Sequence, residues 1–581
     1  MRDTKIYIQL NNMKTMGLGK AGILNMLFLL SIVASIQGVA SAQDFTHIIS
    51  NSEDWKDVYS IIHYANLEGV GSSFLVSPKH GSLLLNGLNR NNDIRVITSK
   101  KSPFVINYDD VIKNSGFKDA DEVFVENANL ELIEELPEIS NFIVVGNTYG
   151  YNAIAVAPYA VLTDSWVFLA DKTNIDEIDA ILGSRDVENV MIYGFVDRDV
   201  REALSKYDPE IIDTGDRFKD NIEIMEKYLE LNPVKQIVLS NGEFIESEIM
   251  SGREPVLFTG KENVPDQIRD YIKSSDIEVG VLVGADLVGA ATNIRRSTGI
   301  SVIVKFARGA RAPGKAISAV EGLDLFYIPV PIMDLSLHSA KYNKATSQLE
   351  LTYKSNSNIP IFFKGTITPV TGSEERTRIG DVEPVFIAPN DFKTIVYPDL
   401  DFTEEELSIE LFTLYGDSPS SLEKILEKTV DVEMINVIDR CDISIENVVY
   451  SKPKESFVIE IENMGNVDCW ADVELTEVII DSDEMTIGSE GAVKIDSGKR
   501  KNILIEQEMT DSDLEDNSFV NLIAYYGERE DSLVKIFQGK FELRVKSISF
   551  ATIGLVALAM VVLAAIVIFV VMFFRRDDDD W

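Results

Sequence analysis

Phe142-Ile-Val-Val-Gly-Asn147, Tyr151-Asn-Ala-Ile-Ala-Val-Ala-Pro-Tyr-Ala160, Trp166-Val-Phe-Leu-Ala170 and Val190-Met-Ile-Tyr-Gly194 follow one another along the chain. The first, third and fourth are short β-rich apolar runs ending in Gly or a small residue, and such continuous runs suit strands buried on both faces of a parallel sheet. The second is long, Ala-rich and free of charge, which suits a buried crossover helix. Strand, helix, strand, helix, strand is the expected order of an α/β module.

The same rhythm recurs on either side at intervals of about 94 residues. Opening runs are His47-Ile-Ile-Ser, Phe142-Ile-Val-Val-Gly-Asn and Gln236-Ile-Val-Leu-Ser-Asn. Second runs are Ser73-Phe-Leu-Val-Ser, Trp166-Val-Phe-Leu-Ala and Pro255-Val-Leu-Phe-Thr-Gly. Third runs are Ile94-Arg-Val-Ile-Thr, Val190-Met-Ile-Tyr-Gly and Val279-Gly-Val-Leu-Val-Gly. Three tandem flavodoxin- or Rossmann-like parallel-sheet repeats are therefore expected over 43–135, 136–230 and 231–315, each with three strands and a helix-like stretch after its first strand. Further helices link the units, as at Asp220–Glu230, where Ile222, Met225, Tyr228 and Leu229 share one face.

These residues resemble the cell-wall-binding type 2 module, which occurs as three tandem copies in bacterial and archaeal surface proteins. Tyr151–Ala160 looks like that family's Asp-Ala-Leu-Ala-Ala-Ala-Pro-Leu-Ala helix, and Thr214-Gly-Asp-Arg-Phe218 looks like its Gly-x-Asp-Arg-Tyr signature. Asn152 stands where the family has Asp, Lys219-Asp220 replace its Glu-Thr, and the outer copies keep little of the motif. The resemblance covers about half the chain. It implies a pseudo-threefold arrangement of the units and non-covalent attachment to wall polymers.

After a linker over 316–332 the period changes to alternation, as in Asp334-Leu-Ser-Leu-His-Ser and Leu349-Glu-Leu-Thr-Tyr. Asp334-Leu-Ser-Leu-His-Ser-Ala-Lys-Tyr342 matches Asp442-Ile-Ser-Ile-Glu-Asn-Val-Val-Tyr450, and Tyr415-Gly416 matches Tyr526-Gly527. Two tandem β-sandwich modules of immunoglobulin-like architecture are expected over 333–435 and 436–546, with no function attached to the architecture.

Two segments point to a membrane. A basic stretch with Arg2, Lys5, Lys14 and Lys20 leads into an apolar run from Ala21 to Val39 and then Ala40-Ser41-Ala42, which reads as a signal peptide over residues 1–42. Ile548 to Phe574 carries no charge and, at about 1.5 Å per residue, extends about 40 Å as a helix, enough to span a bilayer with tilt. The expected topology is single-pass, with the ectodomain outside and residues 575–581 as a short cytoplasmic tail.

The formal charge is −40. It favours solubility and cation attraction and excludes nucleic acid as a partner. Cys441 and Cys469 are the two cysteines, and in an oxidising compartment they suit one disulfide.

Catalytic chemistry finds little support. His47, His63, His80 and His338 show no zinc-ligand spacing and read as hydrogen-bonded structural histidines. Gly146, Gly242, Gly260 and Gly284 end strands without any phosphate-cradling motif, and read as tight turns. Asp213, Asp216 and Arg217 either bind a polar ligand or form an ion pair capping a helix that begins near Asp220, the cap being favoured by the helix dipole. Asn152 joins them as a candidate binding residue by its place in the family motif. Asp481-Ser-Asp-Glu484 and Asp511-Ser-Asp-Leu-Glu-Asp516 are candidate Ca²⁺ loops, with solvated turns as the default; no other cofactor and no metal ligand is expected.

The sequence thus predicts a non-enzymatic, membrane-anchored cell-surface protein of rod-like form, binding envelope glycan or another surface protein in adhesion or display. The alternative is a solute-binding or sensory ectodomain with a ligand crevice between α/β units.

Overall fold

The computed structural model describes residues 45–310 and 319–547, apart from residues 372–373, 376–377, 381–382, 403–406 and 482. Parallel α/β sheets form its first half and sandwich-like β sheets its second.

The first unit runs β1 (His47–Asn51), α1 (Trp55–Leu67), β2 (Gly71–Phe74), α2 (His80–Gly87), β3 (Asp93–Ser99), α3 (Tyr108–Asn114), β4 (Asp119–Val125) and α4 (Ala128–Glu131). The second runs β5 (Asn141–Gly146), α5 (Tyr151–Leu162), β6 (Ser165–Ala170), α6 (Ile175–Gly183), β7 (Asn189–Tyr193), α7 (Arg198–Leu204), β8 (Glu210–Ile212) and α8 (Arg217–Leu231). The third runs β9 (Gln236–Ser240), β10 (Phe244–Ile245), a 3₁₀ turn at Ile249–Ser251, β11 (Val256–Phe258), α9 (Asp266–Ser274), β12 (Val279–Val283), α10 (Val288–Thr298) and β13 (Ser301–Lys305). The three sheets share one order, β2-β1-β3-β4, β6-β5-β7-β8 and β11-β9-β12-β13, and every pair is parallel.

Two sequence expectations are corrected. Each unit has a fourth strand, on the sheet edge. Asp119-Ala-Asp-Glu-Val-Phe-Val puts acidic residues on an open edge, and Glu210–Ile212 is three residues long, so neither reads as a buried run. In the third unit no crossover helix follows the first strand: Gly242 and Gly252 both hold positive φ, and the short stretch between them closes in one 3₁₀ turn.

Equivalent elements meet at the centre. α1, α5 and the 249–251 turn touch one another. Their apolar faces merge into one core containing Tyr59, Ile154 and Ile249, which makes the arrangement pseudo-threefold. Tyr59 donates to the Ala153 carbonyl (3.0 Å) and Asn66 to the Met250 carbonyl (2.6 Å). Linking helices carry the chain between units: α4 packs on α1 and on β6 of the next unit, and α8 packs on α5 and on β11.

β14 (Ala307–Ala310) and β15 (Ala319–Gly322) form a hairpin, and β16 (Phe326–Tyr327) pairs with β10. The segment around β16 straps the units together. Asp324 pairs with His80 at 3.1 Å, Phe326 meets Phe74 edge-on at 6.2 Å, and the Gly150 amide donates to Pro329 at 3.0 Å.

The first sandwich comprises β17 (Leu335–Asn343), β18 (Gln348–Ser355), β19 (Ile361–Thr371), the short β20 (Glu374–Glu375), β21 (Ile379–Gly380) and β22 (Val385–Ile387), β23 (Phe392–Tyr397), β24 (Ser408–Gly416), β25 (Lys424–Asp431) and β26 (Glu433–Ile435). One layer is β23-β18-β17-β26 and the other is centred on β19-β24-β25, with Leu351, Tyr353, Phe363 and Ile409 between them.

The second comprises β27 (Ile443–Ser451), β28 (Ser456–Asn463), β29 (Cys469–Ile480), β30 (Asp483–Gly488), β31 (Val493–Ile495), β32 (Arg500–Glu506), α11 (Asp511–Asp516), β33 (Phe519–Gly527) and β34 (Lys535–Lys546). The sequence repeat is geometric: the register slips at the matching points Leu337/Ser339 of β17 and Ile445/Asn447 of β27. A disulfide joins Cys441 to Cys469, with Cα atoms 5.4 Å apart.

The expected signal peptide and the expected membrane helix at 548–574 lie outside the described residues. Among the described residues no helix is long and apolar enough to cross a membrane. The expected rod is corrected by Arg198 of α7, which reaches past the first sandwich to Asp481 (3.4 Å), Glu508 (3.3 Å) and Asp513 (3.3 Å) of the second. The second sandwich therefore lies against the α/β half.

Candidate functional site

Asp216, in extended conformation before α8, accepts from the amides of Phe218 (2.9 Å) and Lys219 (3.2 Å) and so caps the helix. The helix thus begins at Arg217, earlier than the sequence suggested. Asp220, expected at the helix start, instead reaches back to the Thr214 amide (2.9 Å) and hydroxyl (2.7 Å).

Four further donors meet the Asp216 carboxylate. Ser418 and Ser421 of the first sandwich donate at 2.6 Å each, Ser420 donates as well, and Gln267 of α9 donates at 3.1 Å. Burial raises the carboxyl's proton affinity, but the serine hydroxyls outweigh it and hold Asp216 below the usual carboxylate range.

Arg217 does not pair with either aspartate beside it. It leaves its helix and enters the first sandwich, bonding Asp417 at 2.7 Å and also Glu423, while its guanidinium lies 4.5 Å from the Phe218 ring and 5.5 Å from the Tyr151 ring. Burial opposes the charge on Arg217, yet Glu423 and Asp417 hold it cationic. Burial pushes Glu423 up to about 6 against the attraction of Arg217. Backbone bonds complete the seam: the Asn263 amide donates to Glu423 (2.8 Å), and the Ile425 amide to the Glu262 carboxylate (2.8 Å).

The other two sequence candidates do separate work. Asp213 pairs with Arg201 of α7, within the second unit. Asn152, buried in the first turn of α5, lies against Gly194, whose positive φ and lack of a Cβ allow the approach. Asp216 and Arg217 are thus brought together at a joint between modules, Asp213 stands beside it, and Asn152 sits on the helix that supplies Tyr151.

The sandwich-side residues Asp417, Ser418, Ser420, Ser421 and Glu423 were not singled out from sequence. A signal existed. Their loop follows Tyr415-Gly416, and the matching loop after Tyr526-Gly527 supplies Arg529 and Ser532 to Glu350 (2.7 and 3.3 Å) and Asp531 to His338 (3.1 Å). In each sandwich the loop after Tyr-Gly grips the module that precedes it.

A further buried cluster joins the two sandwiches. Lys393 faces Asp472 (3.6 Å) and Glu474, with the Tyr525 ring centroid 3.6 Å from its ammonium. Burial, then the Asp472 charge, pushes nearby Asp391 up to about 7.

Among the described residues no three His, Cys, Asp or Glu side chains gather as a metal site. The two candidate Ca²⁺ loops are engaged otherwise: Asp481 and Asp513 meet Arg198, and Asp511 pairs with Lys452. His47 donates to or accepts from Ser73 at 2.9 Å, and burial lowers its pKa to about 4; His63, buried against the Ser165 carbonyl at 2.8 Å, is likewise lowered to about 4.

No family model matches the chain, and no curated protein does. Among solved structures, red sea bream transglutaminase is similar at 10% identity over 37% of this chain and 31% of that one, with a TM-score of 0.13. Escherichia coli alpha-2-macroglobulin is similar at 12% identity over 41% of this chain and 24% of that one, with a TM-score of 0.14. A Class 5 fimbriae chaperone is similar at 11% identity over 36% of this chain and 99% of that one, also with a TM-score of 0.14. The chain spans less than a third of the first two proteins, and at these scores none of the likenesses bears on what the chain does.

Proposed function

We propose that the chain is a non-enzymatic cell-surface protein, held by a single membrane helix at 548–574, whose α/β modules bind or display at the envelope and whose immunoglobulin-like sandwiches carry them. One observation carries the reading. The polar residues best placed for chemistry, Asp216 and Arg217, are consumed in a module joint, with six donors on one carboxylate and two carboxylates on one guanidinium. The disulfide suits an extracellular compartment, and the resemblance to the wall-binding module supports envelope glycan or a second surface protein as partner. The test is retention of the purified ectodomain on isolated envelopes across ionic strength and Ca²⁺ concentration, together with protease accessibility of residues 45–547 on intact cells. Retention with accessibility is expected; a chain that is neither retained nor accessible would overturn the reading.

One observation favours the solute-binding alternative. Tyr193 ends β7 beside β5, at the point where the strand order reverses and α/β sheets take ligands, and its hydroxyl is buried with no hydrogen-bond partner among the described residues. A metabolite screen by thermal shift, with Tyr193→Phe as control, distinguishes the two: a stabilising compound whose effect the substitution removes would replace the display reading.

A further inference from the structure

The two linking helices carry the same pattern of Asn, apolar residues and Glu, Asn129-Leu-Glu-Leu-Ile-Glu134 and Asn221-Ile-Glu-Ile-Met-Glu226, and they do the same thing. Asn129 donates to the Val167 carbonyl (2.8 Å) and accepts from the Leu169 amide (2.9 Å) on the open edge of β6. Asn221 donates to the Val256 carbonyl (3.0 Å) and accepts from the Phe258 amide (2.6 Å) on the open edge of β11. Each asparagine stands in for a neighbouring strand, satisfying one outward carbonyl and one outward amide that a sheet edge otherwise leaves bare.

β2 is the third edge of this kind. The Leu75 amide bonds the Ser50 carbonyl as the Thr259 amide bonds the Ser240 carbonyl, so Ser72 and Phe74 stand where Val256 and Phe258 stand, with the Ser72 carbonyl and Phe74 amide outward. Among the described residues neither group has a hydrogen-bond partner. Burial tells the same story: β6 and β11 are buried throughout, whereas β2 runs from exposed Gly71 through half-buried Ser72 and Ser73 to buried Phe74. The strap residue Phe326 meets the Phe74 ring but pairs its backbone with β10. Asn followed by Leu or Ile and then Glu-apolar-apolar-Glu occurs at 129 and 221; the related Asn241-Gly-Glu-Phe-Ile-Glu246 lies at β10, not on a helix, and among the described residues no third such helix lies on β2.

We propose that the β2 edge is a docking site for a helix of a second protein, acidic and amphipathic, whose asparagine bonds Ser72 and Phe74 as Asn129 and Asn221 bond their strands. Charge selects for it. Residues 69–92, which contain β2 and α2, hold no Asp or Glu in a chain with 94 of them, and carry Lys79 and Arg90; the cis helix α4 and the turn after it present Glu131, Glu134 and Glu135. This site does not depend on the display reading and holds wherever the chain resides.

The probe is a fluorescent synthetic peptide spanning Asp216–Asn232, added to the full-length protein in detergent. Expected are saturable binding by anisotropy, at least tenfold weaker binding of the peptide bearing Asn221→Ala, and slowed hydrogen exchange at the Phe74 amide on addition of the peptide. The variant Ser72→Pro, whose ring stands on the outward side of the edge strand and removes no bond to β1, should bind weakly while keeping the circular dichroism spectrum. Four results overturn the proposal: no binding, equal binding of the Asn221→Ala peptide, a Phe74 amide already protected in the monomeric protein alone, or protection that rises with protein concentration alongside dimerisation, which would make a second copy the occupant. Displacement of the peptide by polyglutamate at equal charge would also overturn it, because charge without the asparagine would then suffice.

Discussion

Replacing Arg217 by Met tests the joint between the α/β half and the first sandwich. The side chain volumes are similar and the stem can still lie between the Tyr151 and Phe218 rings, so what is removed is the charge. Glu423 remains buried and Asp417 half-buried without a cation. Removing one partner from a buried pair costs on the order of 3–5 kcal/mol, equivalent to roughly a hundred- to few-thousand-fold in an opening equilibrium. The carboxylates can escape part of this by taking up a proton, and Glu423 already titrates near 6. The loss should therefore be full at pH 8 and markedly smaller at pH 5. Chain unfolding in a multi-module protein is not two-state, so the assay is local: hydrogen exchange of the Ser418–Leu422 amides in the variant relative to the parent at each pH, which cancels intrinsic exchange rates. Adding Asp417→Asn and Glu423→Gln to Arg217→Met should recover most of the protection, since neutral groups no longer need the cation. A variant whose exchange at pH 8 lies within threefold of the parent would refute the account of the joint.

Other expectations follow from the same contacts. Asp216→Ala removes both the cap, worth about 1 kcal/mol, and the acceptor for three serine hydroxyls; α8 should fray and the joint loosen together, seen as coupled loss of protection at Phe218 and Ser421. Reduction of the disulfide, which closes a loop of 28 residues, should lower the stability of the second sandwich by about 3–4 kcal/mol on a chain-entropy estimate, read as a lower calorimetric transition for that module alone. Asn129→Ala should leave the Val167 carbonyl and Leu169 amide unpaired and cost about 1–3 kcal/mol, visible as faster exchange at Leu169.

Much of the α/β half is legible in the sequence because central strands buried on both faces are built around apolar runs, Ile48-Ile49 in β1, Phe142–Val145 in β5 and Ile237–Leu239 in β9. The edge strands β4, β8 and β13 need no such run, which is why two of them hide among acidic residues or in three-residue runs. The site was half legible. Asp216 announces itself as a cap, since an aspartate before an amphipathic run has a local reason to be there. The partner of Arg217 lies 200 residues away in Asp417 and 206 in Glu423, and nothing local in either carboxylate marks it as a partner. What the sequence did show was the recurrence of Tyr-Gly at 415 and 526; its meaning, a grip on the preceding module, becomes visible when both loops are seen against their partners.

The pH dependence unites the joints. Glu423 and Asp220 are pushed up to about 6 and Asp391 to about 7, burial being the largest cause for each. A carboxyl whose folded pKa lies above its unfolded value binds more protons folded, so it favours the assembled state at low pH, and that contribution is lost as pH rises from about 4 through 6 to 7. Asp216, held below its ordinary range, works in the opposite sense and only at pH below that range. Each unit of upward shift corresponds to about 1.4 kcal/mol, so the three groups, Asp391 most of all, place part of the assembled state's stability under proton control. The side chains facing them set the direction. Arg217 and Lys424 face Asp216, Asp417 and Glu423 on one side, and Lys393 faces Asp391, Asp472 and Glu474 on the other, so each joint holds more carboxylates than cations. The joints should therefore tighten between pH 8 and pH 5. Hydrogen exchange of the Ser418–Leu422 and Asp391–Thr394 amides, corrected for intrinsic rates, should slow by at least tenfold over that interval. Asp391→Asn should shrink the pH dependence at the second pair, leaving the smaller part due to Glu474, and leave the first unchanged. Joints that loosen on acidification would show that the cations, not the excess carboxylates, govern the assembly.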